Sequence, residues 1–145
     1  MPKEDGAYTR SLEEVYHEAE QAAGSPTREF HIVGGLHPKL KLSYYTDMIR
    51  GLKARHPEVH IKALTAVEIA HLARIERTTE RDVLLALKDA GLTSLPGGGA
   101  EVFSTAVRAS IAERKLTGEE WIRVHREAHG LGRPVARRTA RLVLR

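Results

Sequence analysis

Two short apolar runs in this chain end abruptly in glycine, one in Glu29-Phe-His-Ile-Val-Gly-Gly-Leu-His-Pro38 and one in Leu92-Thr-Ser-Leu-Pro-Gly-Gly-Gly-Ala-Glu101. Each run is too short for a helix and is flanked by stretches with helical spacing. Strands separated by whole helices cannot pair as hairpins, so the pattern predicts a parallel sheet with crossover helices, an α/β fold. In such folds ligands meet the carboxyl ends of the strands. Glycine there lets backbone N–H groups approach a ligand that a Cβ would hold off.

The intervening segments fit this reading. Residues 11–23 form a helix capped by Ser11, with Glu14 completing a capping box and Leu12, Val15, Tyr16, Ala19, Ala22 and Ala23 as its apolar stripe. Phe30 to Val33 is the first strand. Ser43 opens a helix to about Arg55, with Tyr44, Met48 and Leu52 facing inward, and Pro57 stops it. Val59 to Leu64 is the second strand. Thr65-Ala-Val-Glu68 is a capping box for a helix to about Arg74, Thr79 to Ala90 is another helix, and Gly91 closes it. Leu92 to Leu95 is the third strand. A short helix near 102–110 and a clear one near 118–131 follow. Three to four units of roughly 30 residues, the usual strand–helix repeat, leave at least two bare sheet edges, so the chain reads as the middle of a larger fold.

The net charge of +4 is local. Residues 133–145 hold five arginines and no acid, so the other 132 residues sum to −1. That body has no basic stripe for phosphates, which argues against a nucleic-acid partner. The tail is read as a divergent, frame-shifted or disordered end, with a genuine basic tail as the alternative. No run approaches the length of a membrane span, and the charged start has no secretory h-region, so a cytoplasmic protein with no membrane partner is expected. With no cysteine in the chain, disulfides and thiolate metal sites are excluded.

The residues that could carry chemistry cluster at the strand ends. Gly34 and Gly35 form either a backbone cradle or a tight turn. Three consecutive glycines, Gly97, Gly98 and Gly99, are more than a connection needs, and Glu101 would hold a ligand group or favour a helix start. Eight histidines invite a metal reading. His125 and His129 are four apart on one helix, but the segment is not His-Glu-x-x-His and no third ligand is evident, so a helix-surface or supporting role is preferred and no metal site is expected. His31 and His60 read as interior histidines of a sheet. His37 is the best candidate for contacting a substrate. No catalytic residue can be named from these patterns, and no P-loop or Ser/His/Asp set occurs.

Taken together, the two glycine segments, His60-Ile-Lys-Ala-Leu-Thr-Ala-Val-Glu-Ile69 and Trp121-Ile-Arg-Val-His-Arg-Glu-Ala-His129 resemble the aminofutalosine synthases. These are radical S-adenosylmethionine enzymes of menaquinone biosynthesis. The resemblance runs from about Tyr8 to Gly132. The glycine motifs are shared with the futalosine cyclase and the deazaflavin-synthesis radical enzymes, whereas the Ile-Val-Gly-Gly and His-Ile-Lys-Ala forms favour the synthase.

The resemblance implies a partial TIM-like (β/α) barrel over 1–132, with S-adenosylmethionine and a [4Fe-4S] cluster as cofactors. It also implies a flavodoxin or ferredoxin as electron donor and a small-molecule substrate, 3-[(1-carboxyvinyl)oxy]benzoate, to which a 5′-deoxyadenosyl radical adds. It maps cofactor contacts onto Gly34 and Gly35. By position alone it places Glu68, Gly97, Gly98 and Gly99 at the cofactor, and His37 and Glu101 at the substrate. The family's Cys-x3-Cys-x2-Cys loop is not in the chain, so these residues alone cannot ligate the cluster. The expectation is therefore a central fragment of such an enzyme, inactive by itself. A cluster-free nucleoside-binding domain, a basic-tailed interaction protein and a metal-dependent hydrolase barrel are the competing readings.

Overall fold

A computed structural model describes residues 8–22, 27–98, 103 and 116–131. In chain order the elements are α1 (Leu12–Ala22), β1 (Glu29–Ile32), α2 (Leu42–Arg55), β2 (His60–Ala63), α3 (Ala66–Glu76), α4 (Glu80–Asp89) and α5 (Gly118–Gly130). Short strands alternate with helices because each strand run stops at glycine or at a capping threonine. Thr65, Thr79 and Thr117 each accept from the backbone of the third helical residue, and that residue's carboxylate reaches back, giving three complete capping boxes.

β1 and β2 pair in parallel, with Glu29 opposite His60, His31 opposite Lys62 and Ile32 opposite Ala63. Residues 92–95 lie along the other edge of β2. The N–H groups of Thr93 and Ser94 donate to the Ile61 carbonyl at 2.9 and 3.2 Å, and Ala63 donates to Ser94 at 3.1 Å. Only Lys62 and Ser94 form a parallel bridge. The third strand expected over 92–95 is thus a single bridge, and two strands plus this segment replace three complete strands among the described residues. Gly91, at φ +110°, and Pro96, which has no N–H, leave too few residues between them for a longer ladder.

Alternation divides the sheet into two faces. Phe30, Ile32, Ile61 and Ala63 face the helices and join a core that includes Ile49, Leu52, Ile69, Leu72, Val83, Leu87, Leu95 and Val124. Burying each such side chain contributes about 1.5–3 kcal/mol. The opposite face carries Glu29, His31, His60 and Lys62. One sheet face covered by helices and one polar face with no helix on it among the described residues is the layering of a (β/α) barrel wall.

Two expected helix boundaries move, and one residue expected at a helix surface is buried. α2 begins at Leu42 instead of Ser43, with Lys41 as an N-cap whose side chain makes no cap bond. α3 runs on to Glu76, where Arg77 ends it at φ 55°. His125, expected on a helix surface, is buried at 7% exposure. At the α1–α2 contact, a Cβ on Gly51 would collide with the Tyr16 ring, whose hydroxyl donates to the Asp47 carbonyl at 2.9 Å.

Candidate functional site

The loop from β1 to α2 is held by three side chains of α3. Glu68 Oε1 accepts the Gly34 N–H at 3.0 Å. His71 Nε2 meets the His37 carbonyl at 3.0 Å. Glu76 Oε1 accepts the Leu42 N–H at 2.8 Å and so supplies the cap that Lys41 lacks. An acidic residue in a last helical turn opposes the helix dipole. Glu76 sits there because it serves the N-terminus of a different helix.

Glu68 is the centre of this clamp. It is 4% exposed. Its Oε2 accepts the Thr65 N–H at 2.7 Å and the Thr65 hydroxyl at 2.8 Å. One buried carboxylate therefore closes the α3 capping box and ties the end of β1 to the end of β2. Charge-assisted bonds of this kind are about twice as strong as neutral ones. Beside it Leu64 is held at φ 60° while 1% exposed. Such a left-handed, non-glycine residue costs on the order of 1–3 kcal/mol, and residues of this kind concentrate where a site is built.

With its N–H given to Glu68, Gly34 presents its carbonyl, and Gly35 its N–H, with no partner among the described residues. Both belong to one peptide group. The Gly35 carbonyl accepts the His37 N–H at 3.0 Å, which sets the turn. Neither glycine has a positive φ, and a Cβ on Gly35 would meet nothing within 4 Å. The fold itself does not demand glycine at Gly35. Val33 and Leu36, on either side, are 60% and 45% exposed. The result is an open peptide, its acceptor on one edge and its donor on the other, between two exposed apolar side chains. His37 supports the same loop: its Nδ1 accepts from Lys39 and Leu40 at 3.1 and 3.0 Å. The bonds thus assign the ring proton to Nε2.

The Pro96–Gly98 turn is held more lightly. Trp121 Nε1 donates to the Gly98 carbonyl at 3.1 Å, and Gly98 too has open space where a Cβ would stand. Behind Trp121 the His125 ring packs edge-on at 3.9 Å between centroids. Both ring nitrogens of His125 are buried without a hydrogen-bond partner. Burial, with a smaller contribution from the His129 charge, pushes its pKa down to about 4.

Beneath these turns the polar sheet face is ordered by register. His31, Lys62 and Ser94 stand side by side across the three parallel segments. Lys62 Nζ donates to Glu29 Oε1 at 2.7 Å, and this bond holds the Glu29 carboxyl below its usual range. His60 Nε2 lies 2.7 Å from Ser94 Oγ.

Of the residues singled out in the sequence, Gly34, Gly35, His37 and Glu68 come together at the ends of β1 and β2, and Gly97 and Gly98 lie at the end of the neighbouring segment. Gly99 and Glu101 lie outside the described residues, as do the expected helix near 102–110 and the tail 133–145. Sequence reasoning missed His71 and Glu76. Their signal was present in polar residues three and eight positions after Glu68 on a mostly apolar helix. Among the described residues no group of three His, Asp or Glu side chains could hold a metal ion, and no helix is long and apolar enough to cross a membrane.

Comparison with known proteins gives these features a family. The chain is 44% identical to an aminodeoxyfutalosine synthase of Thermus thermophilus over 131 residues, 90% of this chain and 35% of the relative. It is 47% identical to the aminodeoxyfutalosine synthase of Streptomyces coelicolor, again over 90% of this chain and 34% of the relative. A 5-amino-6-(D-ribitylamino)uracil–L-tyrosine 4-hydroxyphenyl transferase of Methanopyrus kandleri is 37% identical over 92% of this chain and 36% of its own length. The chain spans about a third of the length of the curated relatives it matches. The family implies S-adenosylmethionine and a [4Fe-4S] cluster as cofactors and a partial TIM-like fold, and the chain has no cysteine to ligate the cluster. A family model described as the Radical SAM superfamily matches residues 2–144, and the chain belongs to that superfamily.

Proposed function

We propose that these residues form the S-adenosylmethionine-facing part of an aminodeoxyfutalosine synthase of menaquinone biosynthesis. The observation that carries this reading is the Gly34–Gly35 peptide. The α-ammonium of an amino-acid end needs a carbonyl it can reach, and the Gly34 carbonyl, unpartnered among the described residues, is open to it with no Cβ on Gly35 in the way. Gly34 and Gly35 would hold the methionyl end of the cofactor, with Val33 and Leu36 shielding it from water. Glu68 fixes the peptide by taking the Gly34 N–H, and the Gly98 turn, held by Trp121, borders the same side of the sheet.

The residues do not fit the cluster: the chain contains no cysteine. Its ligands must be supplied from elsewhere, together with the electron donor, a flavodoxin or ferredoxin. When bound, S-adenosylmethionine supplies the 5′-deoxyadenosyl group that is added to the enol ether of 3-[(1-carboxyvinyl)oxy]benzoate. The chain's own contribution is to seat the cofactor, exclude water and orient the acceptor. The higher identity to the two synthases than to the tyrosine transferase supports this substrate over tyrosine.

The test is anaerobic reconstitution of the complete open reading frame that encodes these residues, with iron, sulfide, S-adenosylmethionine and dithionite. Mass spectrometry should detect aminodeoxyfutalosine from 3-[(1-carboxyvinyl)oxy]benzoate and no hydroxyphenyl transfer from tyrosine to 5-amino-6-(D-ribitylamino)uracil. Transfer from tyrosine alone, or no product from either substrate, would overturn the reading.

A further inference from the structure

The polar face of the sheet is more regular than a solvated surface needs. Glu29 and His60 form one layer across β1 and β2. His31, Lys62 and Ser94 form the next, one from each parallel segment. This second layer lies one residue before the end of each segment, directly under the turns that hold Gly34, Leu64 and Pro96. In a closed (β/α) barrel such a layer is the floor of the ligand chamber. Interior layers of these barrels are usually filled with bulky branched residues, whereas this one holds an exposed imidazole, a half-buried ammonium and a buried hydroxyl.

We propose that the His31–Lys62–Ser94 layer is the carboxylate-binding floor of the substrate chamber, with Lys62 as the cation that pairs with a small carboxylic acid. The proposal rests on the placement of the chamber argued above but assigns residues that the glycine cradle does not involve. Lys62 has three N–H donors, and among the described residues Glu29 takes one. Its side chain is 30% exposed, so the ammonium remains reachable.

Glu29 also decides the class of anion. Its carboxylate sits on the same ammonium at 2.7 Å, leaving the row with little net positive charge. A monoanionic carboxylate is accepted there, and a phosphate dianion, which needs more cations, is repelled. Ser94 is turned toward the same side by His60, which lies 2.7 Å from its hydroxyl. That contact orients Ser94, while His31 is exposed at the other end of the row.

The experiment is a pair of titrations of the full chain by NMR or calorimetry, with 3-hydroxybenzoate and with its neutral isostere 3-hydroxybenzamide. The acid should bind at least about tenfold more tightly than the amide, as a charge-assisted bond to Lys62 requires. Lys62→Met should abolish the preference, Lys62→Arg should retain most of it, and Glu29→Gln should increase it. Inorganic phosphate should not compete. If Lys62→Met fails to fold, the opposite shifts of Lys62→Arg and Glu29→Gln decide the matter. S-adenosylhomocysteine, titrated into the same samples, reads the glycine cradle separately. Unchanged S-adenosylhomocysteine binding together with an acid preference that survives Lys62→Met overturns the floor and leaves the cofactor site standing. Loss of S-adenosylhomocysteine binding in the parent chain, with acid preference intact, does the reverse.

Discussion

The two glycine turns look alike in sequence but are secured by different physics. The turn after β1 is fastened at three points by Glu68, His71 and Glu76 of α3, one of them a buried carboxylate with three accepted hydrogen bonds. Among the described residues, the turn after Leu95 is fastened by one indole N–H from Trp121, over a histidine whose nitrogens are buried and unpaired. The first is prebuilt around an open peptide. The second depends on packing that is sensitive to charge. A loop fixed before the ligand arrives loses little entropy on binding, which suits it to the invariant part of a reaction. The lightly held loop suits a boundary that adjusts to what is bound.

The contrast can be broken most forcefully at Glu68. Glu68→Ala removes the Gly34 tie and half of a capping box together, and should cost about 3 kcal/mol in denaturant unfolding. Glu68→Gln should recover only part of this, because its NH₂ cannot accept from Thr65.

The second turn should yield to acid. His125 has a folded pKa of about 4 against its ordinary value of 6.5. Between these values the unfolded chain binds the extra proton, so stability rises with pH across this window. It is fully present above about pH 6.5 and is lost as pH falls toward 4, by roughly 3 kcal/mol in all. Trp121 fluorescence should change in this window before the Gly34 amide does. His125→Phe should flatten the dependence.

Two smaller changes sharpen the comparison. Glu76→Gln keeps an acceptor but discards the charge at the N-terminus of α2, and should cost about 0.5–1 kcal/mol with the helix start loosened in hydrogen exchange. Trp121→Phe removes one indole donor to an exposed carbonyl while keeping the ring, and should cost about 0.5 kcal/mol. Its effect should be confined to the Gly98 turn.

The alternation of strands and helices was legible because capping boxes and glycines punctuate it. Thr65 caps where the sequence placed it, and the helices after Thr79 and Thr117 begin within a residue of where their spacing put them. The third strand was over-read because Leu92 to Leu95 has strand composition, whereas ladder length depends on which backbone groups a neighbour can reach. The start of α2 was misplaced for a related reason: its cap comes from Glu76, which is 34 residues away in sequence from Leu42. The grouping of Gly34 with Glu68 followed from the family resemblance, but the bond between them is a tertiary fact. Local spacing did not reveal that His125 is buried, since an i, i+4 histidine pair looks the same on either side of a helix.

The central claim is that the Gly34–Gly35 peptide is an open cradle fixed from behind by Glu68. The most direct measurement is a titration of the ¹⁵N-labelled chain with S-adenosylhomocysteine, following the Gly34 and Gly35 amides. The account predicts that the Gly35 amide shifts with saturation while the Gly34 amide, already bonded to Glu68, moves far less, and that Gly35→Val abolishes the response without unfolding the chain. A Gly35 amide that stays fixed while resonances elsewhere respond, or binding that persists in Gly35→Val, would contradict it.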